Sequence, residues 1–127
     1  MNKKYLLVLI VGAVVVILLV VSFVLKGGKV GGGYDTIFPM PSSVSNFTKG
    51  TDGSQVNFQT SLNLKQTEEF YRTELTKMGL TERTINTSVT EDTFSMVFDG
   101  HESGKAVVVQ GVNIQGKTNV NIRLEAI

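Results

Sequence analysis

The chain has 127 residues, 42% of them hydrophobic and 18% charged, with one histidine and no cysteine. Without cysteine it can hold no disulfide, thiolate metal site, iron–sulfur cluster or thiol nucleophile, and no acylated cysteine can anchor it. The formal charge of +1 divides unevenly, because Lys3, Lys4, Lys26 and Lys29 fall in the first quarter and leave eight bases against eleven acids from residue 34 onward; a mildly acidic domain without a Lys/Arg cluster offers no stripe for a phosphate backbone, so no nucleic acid is expected as partner.

From Tyr5 to Leu25 the sequence reads YLLVLIVGAVVVILLVVSFVL, twenty-one residues without a charge. As a helix rising about 1.5 Å per residue it spans the ~30 Å hydrocarbon core, so residues 1–26 are expected to be a transmembrane anchor with a short tail, meeting the lipid bilayer through 5–25. A cleaved leader has a shorter apolar stretch and a small-x-small site, and Ser22-Phe23-Val24-Leu25-Lys26 offers none. Lys3, Lys4 and the α-amino group outweigh Lys26 and Lys29 slightly, which favours a cytoplasmic N-terminus and places the rest of this single-pass protein outside the cell membrane. Residues 27–37 carry five glycines, Gly27, Gly28, Gly31, Gly32 and Gly33, and read as a flexible tether. A phosphate-cradling loop needs a preceding strand and a following helix, which this stretch lacks.

Residues 38–127 form the expected domain. Pro39-Met40-Pro41 stiffens its start. Val44–Thr48 and Ser54–Thr60, joined by Lys49-Gly50-Thr51-Asp52-Gly53, read as a β-hairpin. A helix is predicted from Leu64 to Met78, with Asn63 as N-cap, Gln66 in a capping-box relation and Gly79 as the left-handed stop. Its apolar side is Phe70, Tyr71, Leu75 and Met78; Glu68, Arg72 and Lys77 lie away from it in solvent. Beyond the helix the period falls to two. Thr84–Thr90 is the weakest strand; Thr93–Asp99, Lys105–Ile114 and Thr118–Ala126 alternate clearly, the last with Val120, Ile122 and Leu124 inward and Asn119, Asn121, Arg123 and Glu125 outward. The fold class is α+β, a two-layer sandwich of one helix on a mostly antiparallel sheet in ββαβββ-like order. The second sheet face, rich in Asn, Gln, Thr and Ser, is expected to be wet or used for contact.

Val56-x-Phe58-x-Thr60, Glu68-Glu69-Phe70-Tyr71-Arg72 and Leu75-x-x-x-Gly79-Leu80, preceded by Phe38-Pro39-Met40-Pro41, resemble a pattern in small, uncharacterised bacterial membrane-anchored or exported domains. That pattern often has tryptophan where this chain has Leu80. The resemblance covers Pro39 to Leu80 and the trailing strands; it implies a fold and a location, and brings no activity.

No residues stand out as catalytic, cofactor-binding or metal-binding. His101 lies in Asp99-Gly100-His101-Glu102-Ser103-Gly104, whose glycines mark a turn, and one imidazole without cysteine is a poor start for a zinc site. No G-x-S-x-G surrounds any serine. Glu68-Glu69 and Glu91-Asp92 read as solvated charges, and Asp52-Gly53 and Asp99-Gly100 lack calcium-loop spacing. Asn46-Phe47-Thr48 and Asn86-Thr87-Ser88 are sequons that matter only in a eukaryotic secretory pathway. The sequence therefore points to an interaction module held at the membrane, binding another envelope or membrane protein, and not to an enzyme. The alternative is a small-molecule sensor or accessory domain with a pocket near Tyr71 and Phe94.

Overall fold

The computed structural model describes residues 33–127. The anchor expected over residues 5–25, and the linker as far as residue 32, lie outside them; among the described residues no helix is long and apolar enough to cross a membrane.

Among the described residues seven strands and one α-helix follow in the order β1 (Ser45–Lys49), β2 (Gln55–Thr60), α1 (Leu64–Lys77), β3 (Thr81–Glu82), β4 (Ser88–Val89), β5 (Thr93–Asp99), β6 (Ala106–Ile114) and β7 (Lys117–Glu125). They make one sheet ordered β1-β2-β7-β6-β5-β3, with β4 also on β5, and every pairing is antiparallel. The α+β reading holds for this region. The last strand is central: β7 lies between β2 and β6, matching Val56, Phe58 and Thr60 to Ile122, Val120 and Thr118. Period-two alternation then gives the sheet an inner face toward α1 and an outer face.

The helix begins where the sequence says it should. Asn63 Oδ1 accepts from the Gln66 N–H at 2.8 Å and Gln66 Oε1 from the Asn63 N–H at 3.0 Å, so two otherwise orphaned donors are satisfied reciprocally. It stops at Gly79, whose φ of +87° is cheap only without a Cβ. The Leu80 N–H then donates to Leu75 O at 3.1 Å and the Gly79 N–H to Thr76 O at 2.9 Å, the paired bonds of a Schellman end. A buried threonine pair ties the helix start to the sheet: Thr60 faces Thr118 in register, and Thr118 Oγ1 donates to Leu62 O at 2.9 Å.

Phe70, Tyr71 and Leu75 of α1 pack on Val56, Phe58, Phe94, Met96, Phe98, Val107, Val109, Val120 and Ile122, and Phe38 and Met40 of the lead-in segment join the same core. On β6 the inner position opposite Phe94 is Gly111. A Cβ built there would stand 2.2 Å from Phe94 Cε1, so the phenyl ring occupies the space that any side chain would need.

Three expectations change. Thr84–Thr90 is not a strand: a 3-10 turn at Thr84–Asn86 divides two-residue strands β3 and β4, each on one end of the β5 edge. Ile85, fully solvated at 90% exposure, has no core to face, so the segment cannot run as one amphipathic strand. Met78 is the helix cap and is 49% exposed rather than part of the packed stripe. Glu68, read as solvated, is only 3% exposed. Its charge is tolerated there because Arg72 Nη1 donates to it at 2.8 Å and Lys65 approaches it at 3.6 Å.

Replacing Gly111 by alanine should cost about 1–3 kcal/mol through overpacking, seen as a lower urea midpoint with unchanged m-value; Gly111→Ala in a Phe94→Leu background should recover much of that loss.

Candidate functional site

Strand order decides what lies side by side on the outer face. Across its middle run Asn57, Asn121, Gln110 and Ser95, neighbours on β2, β7, β6 and β5. Gln55, Arg123, Val108 and Val97 form the next row, and Gln59, Asn119, Val112 and Thr93 the row on the other side. The face therefore has two halves. On β2 and β7 it is an array of side-chain amides; on β6 it is mostly apolar, reading Ala106, Val108, Gln110, Val112, Ile114. Val97, Ala106 and Val108 are buried as a small cluster of their own, while Val112 and Ile114 remain in solvent.

Arg123 organises the amide half. Its Nη1 donates to Gln110 Oε1 at 2.8 Å and Asn121 Oδ1 at 2.9 Å, and its Nε to Glu125 Oε2 at 2.9 Å. On the β5 side Arg83 grips both carboxylate oxygens of Asp99 and holds that carboxyl below its ordinary pKa. The two arginines of this face are thus paired with Glu125 and Asp99, and an amide presents both a donor and an acceptor to whatever approaches.

The other residues singled out in the sequence sit apart from this surface or from one another. His101 Nδ1 accepts the Ser103 N–H at 3.1 Å and lies 2.8 Å from Ser103 Oγ, which makes the imidazole part of the turn between β5 and β6. Among the described residues no three of His, Cys, Asp and Glu come together as a metal site. Asp52 accepts from the backbone and hydroxyl of Ser54 in the β1–β2 turn. Asn46 donates to Gln59 at 3.1 Å, and Asn86 is exposed in the 3-10 turn. Glu68 belongs to a network in which Arg72 Nε also donates to Glu82 Oε1 at 2.9 Å and Thr87 Oγ1 donates to Glu82 Oε2. Arg72 holds the Glu82 carboxyl below its ordinary pKa against the opposing effect of burial, and the network fastens the β3–β4 edge to the helix.

Tyr71 and Phe94 lie inside the core. An open groove of about 370 Å³ lies elsewhere, where Ile37, Met78 and Leu80 meet Gly100, His101 and Glu102. Comparison with protein-family models, with curated proteins and with solved structures finds no match to this chain.

The Tyr71 hydroxyl is buried without a hydrogen-bond partner among the described residues, and burial alone pushes its pKa well above the ordinary value of 10.0. Tyr71→Phe should therefore raise stability by about 1 kcal/mol. Because the folded-state pKa is raised, the native chain keeps its phenolic proton after the unfolded chain has lost it. The contribution is present in full below pH 10 and is lost as pH rises from there through the folded pKa. Chemical denaturation at pH 8 and pH 11 should show a smaller alkaline loss in Tyr71→Phe than in the parent.

Proposed function

We propose that this is a single-pass bacterial cell-envelope protein whose C-terminal domain, outside the membrane, is a non-catalytic interaction module that binds another protein through its outer sheet face. The observation that carries the reading is that the amide half of this face is accessible and preorganised among the described residues while both sheet edges are blunted. At one edge the β1–β2 register breaks between Ser45 and Thr48, with Asn46 at a φ of +53°; a bulge of this kind discourages an added strand. At the other, β3, β4 and the intervening turn occupy the free side of β5. Strand addition is thereby disfavoured at both edges, and the face remains. The exposed Val112 and Ile114 beside amides held by Arg123 give it a small apolar patch with polar groups around it. The anchor read over residues 5–25, and the resemblance to membrane-anchored or exported domains, support the location.

The small-molecule reading rests on the groove at Ile37, Met78 and His101, which is open and lies away from Tyr71 and Phe94. Ligand libraries that shift the melting temperature through Met78→Ala-sensitive binding would favour it.

The test is in-cell cross-linking and co-purification of the full chain. A partner recovered with the parent should be lost from Asn57→Arg/Asn121→Arg and retained by Thr76→Arg on the solvent side of α1, with both variants folded at the assay temperature. Retention of that partner by the outer-face variant would overturn the reading. Location is checked with Ser103→Cys, the only thiol in the chain: an impermeant maleimide should label it in intact cells, and labelling only after permeabilisation would place the domain in the cytoplasm.

A further inference from the structure

The outer positions of the two central strands are symmetrical about their middles. β6 presents Ala106, Val108, Gln110, Val112 and Ile114, and β7 presents Lys117, Asn119, Asn121, Arg123 and Glu125. Gln110 and Asn121 are the midpoints and are paired in register, and Asn57 of β2 continues the row. A two-fold axis laid along this row, across the strands, turns each strand end for end onto its own copy. On β6 only Val112 and Ile114 are exposed enough to reach a second copy, since Ala106 and Val108 are already buried within each chain, so the apolar positions contribute little and the match rests on polar groups. The axis sets the Lys117 ammonium against the second copy's Glu125 carboxylate, Arg123 against Asn119 and Gln55 against Gln59. On the axis, Asn57, Asn121 and Gln110 each meet themselves, and an amide is its own complement because it both donates and accepts. The alternative two-fold, parallel to the strands between β6 and β7, keeps Gln110 over Asn121 but lays Val112 over Asn119 and Ile114 over Lys117, apolar against polar, and leaves Lys117 without an acid.

The charges fit as well. Arg123 with Glu125, and Arg83 with Asp99, are paired within each copy, so two such faces approach without like-charge repulsion. Strands of six, nine, nine and seven residues, rising about 3.4 Å per residue and about 4.8 Å apart, give a face of at most roughly 500 Å² per copy. Together that is at most roughly 1,000 Å², the size of a weak, transient contact.

We propose that the partner of this face is a second copy of the chain, seated outer face to outer face about a two-fold through Asn57, Asn121 and Gln110. The inference rests on the interaction-module reading and names its partner. The absence of cysteine makes it directly testable in the full-length protein in its own membrane. Packed sheets stand about 10 Å apart, too far for a direct disulfide and well suited to a short bismaleimide. Asn121→Cys should cross-link to a dimer several-fold more than Lys65→Cys on the helix, and adding Gln110→Glu, which places two carboxylates on the axis, should abolish the excess while leaving the melting temperature unchanged. Equal, background-level cross-linking of Asn121→Cys and Lys65→Cys would overturn the proposal. If that happens while Asn57→Arg/Asn121→Arg still loses a different protein, the second copy is excluded and the interaction module stands. If the outer-face variant loses nothing either, both fall.

Discussion

A helix with its side chains is about 10–12 Å across, whereas strands about 4.8 Å apart make a sheet six strands across more than twice as wide. One helix therefore leaves much of the inner face open, and the rest of the molecule answers that shortage. The lead-in segment contributes Phe38 and Met40 to the core. On the opposite flank Phe94 lies over Gly111, an aromatic ring on one strand standing in for the side chain its neighbour lacks. The Tyr71 ring fills the middle at the cost of an unpartnered hydroxyl. Even the ion pairs serve this purpose: Glu68, Arg72 and Glu82 fasten the helix to the interrupted edge beside β5.

The same shortage explains the outer face. With a single helix among the described residues, the second side of the sheet has to be soluble when alone, yet β6 in the middle of it keeps Val108 and Ala106. Those apolar groups are buried between better hydrated neighbours, and the β2 and β7 side is given amides rather than a field of unpaired charge. Amides hydrate well enough to keep the face in water and lose little on meeting other amides, since each bond to water is exchanged for a bond of the same kind.

Much of this was legible in the sequence where a local rule decides the outcome. The capping box at Asn63 and Gln66, the stop at Gly79 and the alternation of β5, β6 and β7 each depend on residues a few positions apart, and the structure keeps them. Sequence reasoning failed where the partner is remote. Glu68 looks like an ordinary exposed helix acid until Arg72 is seen to bridge it to Glu82 in another element. The segment after Gly79 has β-branched residues enough for a strand, but its pairing is decided by how much of the β5 edge is free. Gly111 sits unremarked in a valine-rich run, and only the β5–β6 register, which sets Phe94 opposite it, gives it a role. The polar character of the outer face could be read strand by strand. That Asn57, Asn121 and Gln110 form one row could not, because it requires β7 to lie between β2 and β6.

An interface of this size has a physical consequence for how the chain could use it. A small area, few aromatic side chains and amide contacts that exchange evenly with water give little net free energy of association in dilute solution, where the loss of rotational and translational freedom is largest. Confinement changes that balance without any new contact: two domains held at the same membrane surface by short tethers meet at a high effective concentration and in a restricted set of orientations. The proposed anchor, the proposed tether and a weak, self-complementary face would thus act together. Each is a poor basis for association by itself, and the weakness of the face is what would make pairing depend on the membrane.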